Sequence, residues 1–149
     1  MAKFVYRMQN ILDIKQKLED QERINFAMAN ARVNEEQEEL QELLVRRAGY
    51  DKQLKELTSG PIDVAKIRIC KTSIDAMKSM IREQMLNLHK AQKDAELARK
   101  RLNEVMQERK MHEKLREKAF EQFKQELNKE ESKAVDELVS YTYSPNVNN

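Results

Sequence analysis

The helical pattern of this chain is interrupted at one place, residues 58–61, which read Thr-Ser-Gly-Pro. Gly60 is expected to take the left-handed conformation that caps a helix, and Pro61 cannot continue the helix before it. Asp63 is a favourable N-cap residue for a second helix. Two long helices joined by so short a turn must either fold back on each other or separate, so this interruption constrains the fold more than any other feature.

The composition favours paired helices over a compact globule. Charged residues make up 36% of the 149 residues and aromatic residues 5%, with no Trp, two Gly and two Pro. The aromatic residues are too few to fill a thick core, and two Gly and two Pro are too few to supply the turns of a sheet. Disorder is disfavoured because the apolar residues are regularly spaced. The net charge of +2 gives no overall attraction to nucleic acid or to a membrane.

Apolar residues on both sides of the interruption alternate at spacings of three and four, which is the pattern of a coiled-coil seam. Before the interruption the seam runs through Phe26, Ala29, Val33, Glu36, Leu40, Leu43, Arg47, Tyr50, Leu54 and Leu57. Nearer the N-terminus it is expected to change phase, through Phe4, Met8, Ile11 and Leu18. After the interruption it runs through Ile67, Cys70, Ile74, Met77, Ile81, Gln84, Leu88, Ala91, Ala95, Ala98, Leu102 and Val105.

Antiparallel pairing about this turn requires the numbers of two facing residues to add to about 121. This register places Leu43 beside Met77 and Leu40 beside Ile81. It also places acidic residues of the first helix opposite basic residues of the second: Glu19, Asp20 and Glu22 against Arg99, Lys100 and Arg101. The sequence therefore predicts an all-α fold, a long antiparallel two-helix coiled-coil hairpin. It forms a single domain over residues 1–143, with helix 1 at about 3–58, a turn at 59–62, helix 2 at about 63–141 and a disordered tail at 144–149.

The two predicted helices are unequal, so the second should overhang the first. At about 1.5 Å per residue, the N-terminal end of the first helix lies near Phe4, which is opposite roughly residue 117 of the second helix. Beyond that point the second helix carries apolar residues with no partner in the chain: Phe120, Phe123, Leu127, Val135 and Leu138. Such a stripe indicates a binding site or an oligomer contact. Fraying and nonspecific self-association are the alternatives.

The residues that usually carry catalysis or bind metals are few and scattered. His89 and His112 are far apart and have no Cys or carboxylate at metal-ligand spacing. Cys70 is expected to be a core residue, and a single cysteine suits a reducing compartment. There is no glycine loop for phosphate, no apolar leader and no membrane span. We therefore expect a cytosolic protein that is not an enzyme and uses no metal or other cofactor.

Several features together resemble the FliJ family of flagellar export proteins, over essentially the whole chain. They are residues 4–15 (Phe-Val-Tyr-Arg-Met-Gln-Asn-Ile-Leu-Asp-Ile-Lys), a length near 150, a turn near residue 60, and a second helix rich in Met, Gln and Lys. The resemblance implies a soluble component of the flagellar type III export apparatus, shaped like the two-helix part of the central stalk of rotary ATPases. The implied partners are the export ATPase hexamer, the cytoplasmic part of the export gate protein and export chaperones. The implied location is cytoplasmic, at the periphery of the flagellar basal body.

The resemblance also implies two sets of binding residues. On the gate side, Leu43 and Tyr50 match the family and Met77 is a conservative match, while Met80 lies out of phase with the seam and is expected to be exposed. On the ATPase side we expect Phe4, Met8, Phe120, Phe123 and Leu127. The gate patch departs from the family at three positions: Arg46 and Ser73 replace aromatic residues and Gln84 replaces a histidine. Tyr50 is then the one aromatic anchor left in the patch.

Two other classes of function compete with this interpretation. A self-assembling structural scaffold would form concentration-dependent oligomers through Phe120, Phe123 and Leu127. A nucleic-acid-binding coiled coil is suggested by residues 61–118, which carry fifteen Lys and Arg against nine Asp and Glu. Those basic residues are interleaved with acids and lack stacking aromatics, so a solvated helix flank is favoured.

Overall fold

The computed structural model describes residues 2–143, which form two α-helices that pack against each other. α1 spans Gln9–Thr58 and has 50 residues, while α2 spans Val64–Tyr143 and has 80. Within the described residues there is no strand. The predicted fold class, an all-α two-helix hairpin with a longer second helix, is confirmed. The predicted disordered tail at 144–149 lies outside the described residues.

Contacts between residues divide the chain into two compact units. The hinge unit is Asp20–Asn103 and contains the turn. The terminal unit consists, among the described residues, of 2–19 and 104–143. Each helix contributes to both units, and each unit is described by itself below. The assignment of residues 1–143 to one domain stays a prediction.

The turn is closed by side chains rather than by a left-handed glycine. The hydroxyl of Thr58 donates to the carbonyls of Leu54 and Lys55, and the Ser59 amide donates to the Glu56 carbonyl at 3.3 Å. The prediction for Gly60 is wrong, since neither glycine has a positive φ. Hydroxyl groups in the last turn satisfy carbonyls at the end of α1, so no left-handed cap is needed.

Asp63 caps the start of α2, as predicted. Its Oδ1 accepts hydrogen bonds from the amides of Ala65 at 3.1 Å and Lys66 at 3.3 Å. These amides have no partner inside the helix, so the carboxylate satisfies donors that would otherwise be open to water.

α1 begins later than predicted, at Gln9 rather than near residue 3. Residues 2–6 are not helical, and the Gln9 amide donates to the Tyr6 carbonyl at 3.2 Å in a turn before the helix. Aromatic and β-branched residues at positions 4–6 have modest helix propensity. An extended chain also covers about 3.3 Å per residue against 1.5 Å in a helix. Phe4 therefore reaches further along α2 than a helical segment could.

The hinge unit has the predicted antiparallel register. The Cys70 thiol donates to the Tyr50 carbonyl at 3.3 Å, and the Gln84 amide donates to the Glu36 carbonyl at 2.9 Å. The residue numbers in each pair add to 120, one less than the predicted 121. Its buried residues lie on the two seams that the sequence predicts: Leu43 on α1, and Cys70, Ile74, Met77, Ile81, Gln84, Ala91, Ala95 and Ala98 on α2.

In the terminal unit the predicted change of seam phase is wrong. Met8, Ile11 and Leu18 are 49%, 39% and 43% exposed. Leu12 is buried instead, and the same spacing continues through half-buried Lys15 and buried Glu19. Polar residues occupy the true seam here because each has a charged partner on α2. Apolar periodicity alone therefore pointed to the wrong face.

Candidate interaction surfaces

Leu43 and Met77, two of the predicted gate-side residues, belong to the core of the hinge unit. They are 7% and 6% exposed and form one cluster with Ile81. Leu40 and Tyr50 are partly buried and pack against this cluster. Side chains so well covered by the other helix have little surface to offer a partner while the helices remain paired.

Tyr50 and Met80 are the more accessible members of the predicted gate side. Tyr50 is half-buried and lines an open groove of about 550 Å³ together with Leu57, Ile69 and Ser73. Met80 is 44% exposed, in keeping with its position outside the seam. The structure therefore separates the predicted set into two core residues and two accessible ones.

Three exposed apolar residues close to the turn were missed by sequence reasoning. Ile62, Val64 and Ile69 are 70%, 63% and 68% exposed. Ile69 is out of phase with the α2 seam, and that mismatch was the signal that could have found it, while Ile62 precedes α2 and Val64 is its first residue. They enlarge the apolar surface of the hinge unit beyond the predicted patch.

An aromatic cluster closes the terminal unit at the predicted ATPase side. The Phe4 ring lies 5.1 Å from the Phe120 ring in an edge-to-face arrangement and 5.4 Å from the Phe123 ring. The Arg116 guanidinium lies 5.9 Å from the centre of the Phe4 ring and donates to the Gln9 side chain at 3.0 Å. Because Phe4 contacts both rings, Phe120 and Phe123 are not the unpartnered residues that the sequence predicted, although Phe120 remains 38% exposed.

The remaining predicted ATPase-side residues lie around this cluster. Met8 is 49% exposed and lines a groove of about 920 Å³ with Phe4, Ile11, Ala119 and Phe123. Leu127 is half-buried, one helical turn beyond Phe123. The structure thus brings Phe4, Met8, Phe120 and Phe123 together in the terminal unit. Leu127 lies at the edge of this aromatic cluster.

Ion pairs hold the rest of the terminal unit. The Arg109 guanidinium donates to both carboxylate oxygens of buried Glu19. It also donates to Glu113 at 2.9 Å. The hydrogen bond to Glu19 is the largest cause that raises the pKa of Arg109. The Lys15 ammonium donates to Glu108 at 2.7 Å, and this bond holds the pKa of Glu108 below its ordinary value of 4.5. The register predicted from the turn, in which facing residue numbers add to about 121, pairs neither Lys15 with Glu108 nor Glu19 with Arg109.

The predicted pairing of Glu19 with the basic residues at 99–101 is therefore wrong. Arg99 instead pairs with Glu96 on its own helix at 2.7 Å. Helical side chains point toward their own N-terminus. In an antiparallel pair, the long Glu19 and Arg109 side chains therefore reach each other from positions further apart along the helices than a backbone register allows.

α2 continues past the aromatic cluster with its apolar residues open to solvent. Val135, Leu138, Val139 and Tyr141 are 58%, 66%, 47% and 85% exposed. Every residue from 128 to 142 is exposed. The overhang predicted from the unequal helices is present, but it begins beyond Leu127 rather than at Phe120.

The described residues contain no group of three or more His, Cys, Asp or Glu that could hold a metal ion. Cys70 is buried in the seam, as predicted. His112 is half-buried, and its Nδ1 has no hydrogen-bond partner among the described residues. The surfaces that the structure does offer are helical faces and shallow grooves, which are suited to binding other proteins.

These features define the class of the protein as a coiled-coil hairpin with exposed apolar surface in both of its units. The family model described as flagellar FliJ protein matches residues 4–148 of the 149-residue chain. The chain therefore belongs to the FliJ family and is a component of the flagellar export apparatus.

Comparison with individual curated proteins and with solved structures gave no significant match. Neither helix, over residues 2–143, has an apolar stretch long enough to cross a membrane.

Proposed function

We propose that the terminal unit binds the hexameric export ATPase in the manner of a central stalk, and that the chain couples this ATPase to the export gate. Membership of the FliJ family supports this proposal. The observation that carries it is the exposed apolar surface of α2 beyond Leu127, where Leu138 is 66% exposed. A helix that offers such a surface with no partner among residues 2–142 is suited to insertion between other subunits.

The proposed contact with the cytoplasmic part of the gate uses the hinge unit. Tyr50 and Met80 supply the direct contact because they are accessible, while Leu43 and Met77 support them from the core. Met is a flexible side chain that adapts to irregular partner surfaces. The chain would also bind export chaperones, and it would act in the cytoplasm at the periphery of the basal body. Its own role is binding rather than catalysis.

The ATPase proposal is tested by adding the folded chain to the cognate export ATPase and measuring ATP hydrolysis and binding. We expect stimulation, and we expect Leu138→Asp to abolish it because a carboxylate cannot be buried against an apolar partner. Leu86→Asp is the matched control, since Leu86 is 70% exposed and lies in the hinge unit. A native chain that neither binds nor stimulates the ATPase would rule the proposal out.

The gate proposal is tested by calorimetric titration of the gate's cytoplasmic domain. We expect Met80→Asp to weaken binding and Met28→Asp to leave it unchanged, because Met28 is 67% exposed on the other helix, far along the chain from the turn. Equal affinity of both variants would remove the hinge unit from the gate contact.

A self-assembling scaffold is the second candidate, because the same exposed face of α2 could pair with another copy. Sedimentation over a range of concentrations separates the two functions. A monomer at all concentrations supports the coupling function. Oligomers that grow with concentration and are dissolved by Leu138→Asp support the scaffold.

A further inference from the structure

We propose that the exposed end of α2 docks onto an apolar partner surface that is bordered by Lys and Arg side chains. The inference rests on the proposed function, in which this partner is the export ATPase. We call the docking surface the terminal face, and it comprises Leu127, Ala134, Leu138 and Tyr141.

The terminal face is a continuous apolar strip along α2. At about 100° of rotation per residue, its four members fall within a sector of roughly 60°. Leu138 and Tyr141 are 66% and 85% exposed, Ala134 is exposed and Leu127 is half-buried. The strip therefore lies open to solvent over about four turns of helix beyond Leu127.

Acidic residues border the terminal face, whereas the lysines of this segment lie away from it. Glu126, Glu130 and Glu137 fall along one edge, within roughly 100° of Leu127, at 100° per residue. On the same estimate Lys133 lies just beyond this edge, about 120° from Leu127, and Lys129 lies on the far side, about 160° away. Glu131 lies just outside the opposite edge of the strip, about 40° from Leu127.

The border glutamates are available to a partner. All four are exposed, and none of them takes part in an ion pair with another residue in the range 2–142. Each of these glutamates lies within four residues of Lys129 or Lys133 along α2 but forms no ion pair with either lysine at 4 Å or less, and Lys124 lies over the Phe120 ring at 4.7 Å. No ion pair within residues 2–142 therefore has to be broken before these glutamates can meet a partner.

The sign of the charge sets this segment apart from the rest of α2. Residues 119–143 contain three Lys and six Asp or Glu, a net charge of −3, whereas residues 61–118 carry a net +6. An acidic border attracts a basic surface and repels an acidic one. A second copy of this chain would set its own border glutamates against these, so self-association through the terminal face is disfavoured.

The apolar strip and its border have different roles in the complex. Burial of Leu138 and Tyr141 supplies most of the affinity, since apolar area and aromatic anchors dominate binding energy. The glutamates accelerate association and select the partner by charge. Binding should therefore weaken as salt screens the border, while the apolar part persists.

The test measures binding of the full-length chain to the cognate export ATPase at about 50 mM and about 500 mM salt, two conditions that differ several-fold in screening length. The test variant is E126K/E130K/E137K, and the matched control is E35K/E38K/E42K, three exposed glutamates of the hinge unit. We expect the test variant to lose about tenfold or more in affinity at low salt, chiefly through slower association, and the gap to narrow at high salt. The control should retain native affinity within about twofold.

Circular dichroism checks that each variant stays helical, and the neutral variant E126Q/E130Q/E137Q gives a milder loss if the reversal impairs folding. If the native chain binds the ATPase but both glutamate variants bind equally well, the inference is wrong while the proposed function stands. If the native chain does not bind, both are wrong. Self-association of the native chain that Leu138→Asp abolishes would make a second copy the occupant and would also overturn the inference.

Discussion

The two units of this protein use the same heptad spacing but are held together by different chemistry. In the hinge unit the seam is apolar, with Leu43, Met77 and Ile81 in contact and a run of buried alanines further along α2. In the terminal unit the seam carries Lys15 and Glu19, whose charged partners lie on α2, and an aromatic cluster around Phe4. Apolar layers resist changes of salt and pH, whereas ion pairs depend on both.

This difference suits the proposed roles of the two units. A well-packed apolar seam fixes one register and keeps the helices paired. A seam held by ion pairs depends on salt and pH, and the partly exposed Lys15–Glu108 pair contributes little to stability. We therefore expect the stability of the hinge unit to depend little on salt and pH, and the stability of the terminal unit to depend on both.

The largest effect is expected from Leu43→Ala. Removing a buried leucine should lower the free energy of unfolding by about 2–5 kcal/mol, because it leaves a cavity between the helices. Leu44→Ala is the matched control, since Leu44 is the next residue and 39% exposed. We expect the control to cost below about 1 kcal/mol. Urea denaturation gives both values, and equal losses would contradict an apolar seam at Leu43.

The next effect concerns the one polar layer within the hinge unit's core. Gln84 is 4% exposed and donates to the carbonyl and the carboxylate of Glu36. Gln84→Ala should cost about 1–3 kcal/mol, because it removes both hydrogen bonds that Glu36 accepts from the other helix and leaves its carboxylate only Arg32 at 3.9 Å. Gln92→Ala, at an exposed position of the same helix, should have little effect.

The double variant E36L/Q84L sharpens this result. Replacing both partners by apolar residues should restore or raise stability while weakening the preference for one register. Disulfide cross-linking between cysteines introduced on the two helices would report the register. A double variant as unstable as Gln84→Ala would show that the polar layer contributes stability rather than specificity.

A smaller effect is expected from Phe4→Ala in the terminal unit. The edge-to-face contact with Phe120 and the contact with Phe123 should together contribute about 1 kcal/mol beyond the area they bury. Hydrogen exchange should show faster opening of α2 near residue 120 and no change in the hinge unit. Val5→Ala is the control, because Val5 is 76% exposed. Unchanged exchange would mean that the aromatic cluster does not hold the terminal unit.

The smallest effect is a pH dependence confined to the terminal unit. The hydrogen bond from Lys15 lowers the pKa of Glu108 below 4.5, so folding favours the ionised carboxylate. The resulting stabilisation is present above pH 4.5 and is lost as the pH falls through the lower pKa of the folded state. Hydrogen exchange of the residues around Glu108, followed downward from neutral pH, should show this loss.

Glu108→Gln is the control for this titration, because it should remove the pH dependence at that site. In the hinge unit the pKa of Glu96 is also lowered, by Arg99, but these residues lie on one helix. Their titration should therefore leave helix pairing unchanged. If helix pairing were lost at higher pH in the hinge unit than in the terminal unit, the expected difference in pH dependence between the two units would be wrong.

Much of the hinge unit could be predicted from the sequence. Alternating spacings of apolar residues identified the α2 seam, and the turn at residue 60 gave a register correct to within one residue at Cys70 and Gln84. The exposure of Met80 followed from its phase. These predictions succeeded because the residues of an apolar seam recur at helical spacing and can be recognised in the sequence.

The terminal unit was harder to predict, because its seam is polar. Ile11 and Leu18 offered an apolar alternative to the true line through Leu12, Lys15 and Glu19. Only a charged partner on α2 makes burial of Glu19 favourable, and Arg109 lies ninety residues away along the chain. The extended path of residues 2–6 likewise depends on contacts with Phe120 and Phe123.

Local periodicity and the residues that begin or end a helix were enough to predict two helices of unequal length, the turn between them and their antiparallel register. The tertiary structure decided which polar residues are buried, where α1 begins and where the exposed end of α2 starts. These depend on pairing between residues that are distant in the chain. Burial of a charge or an extended segment becomes favourable only when the partner is in place.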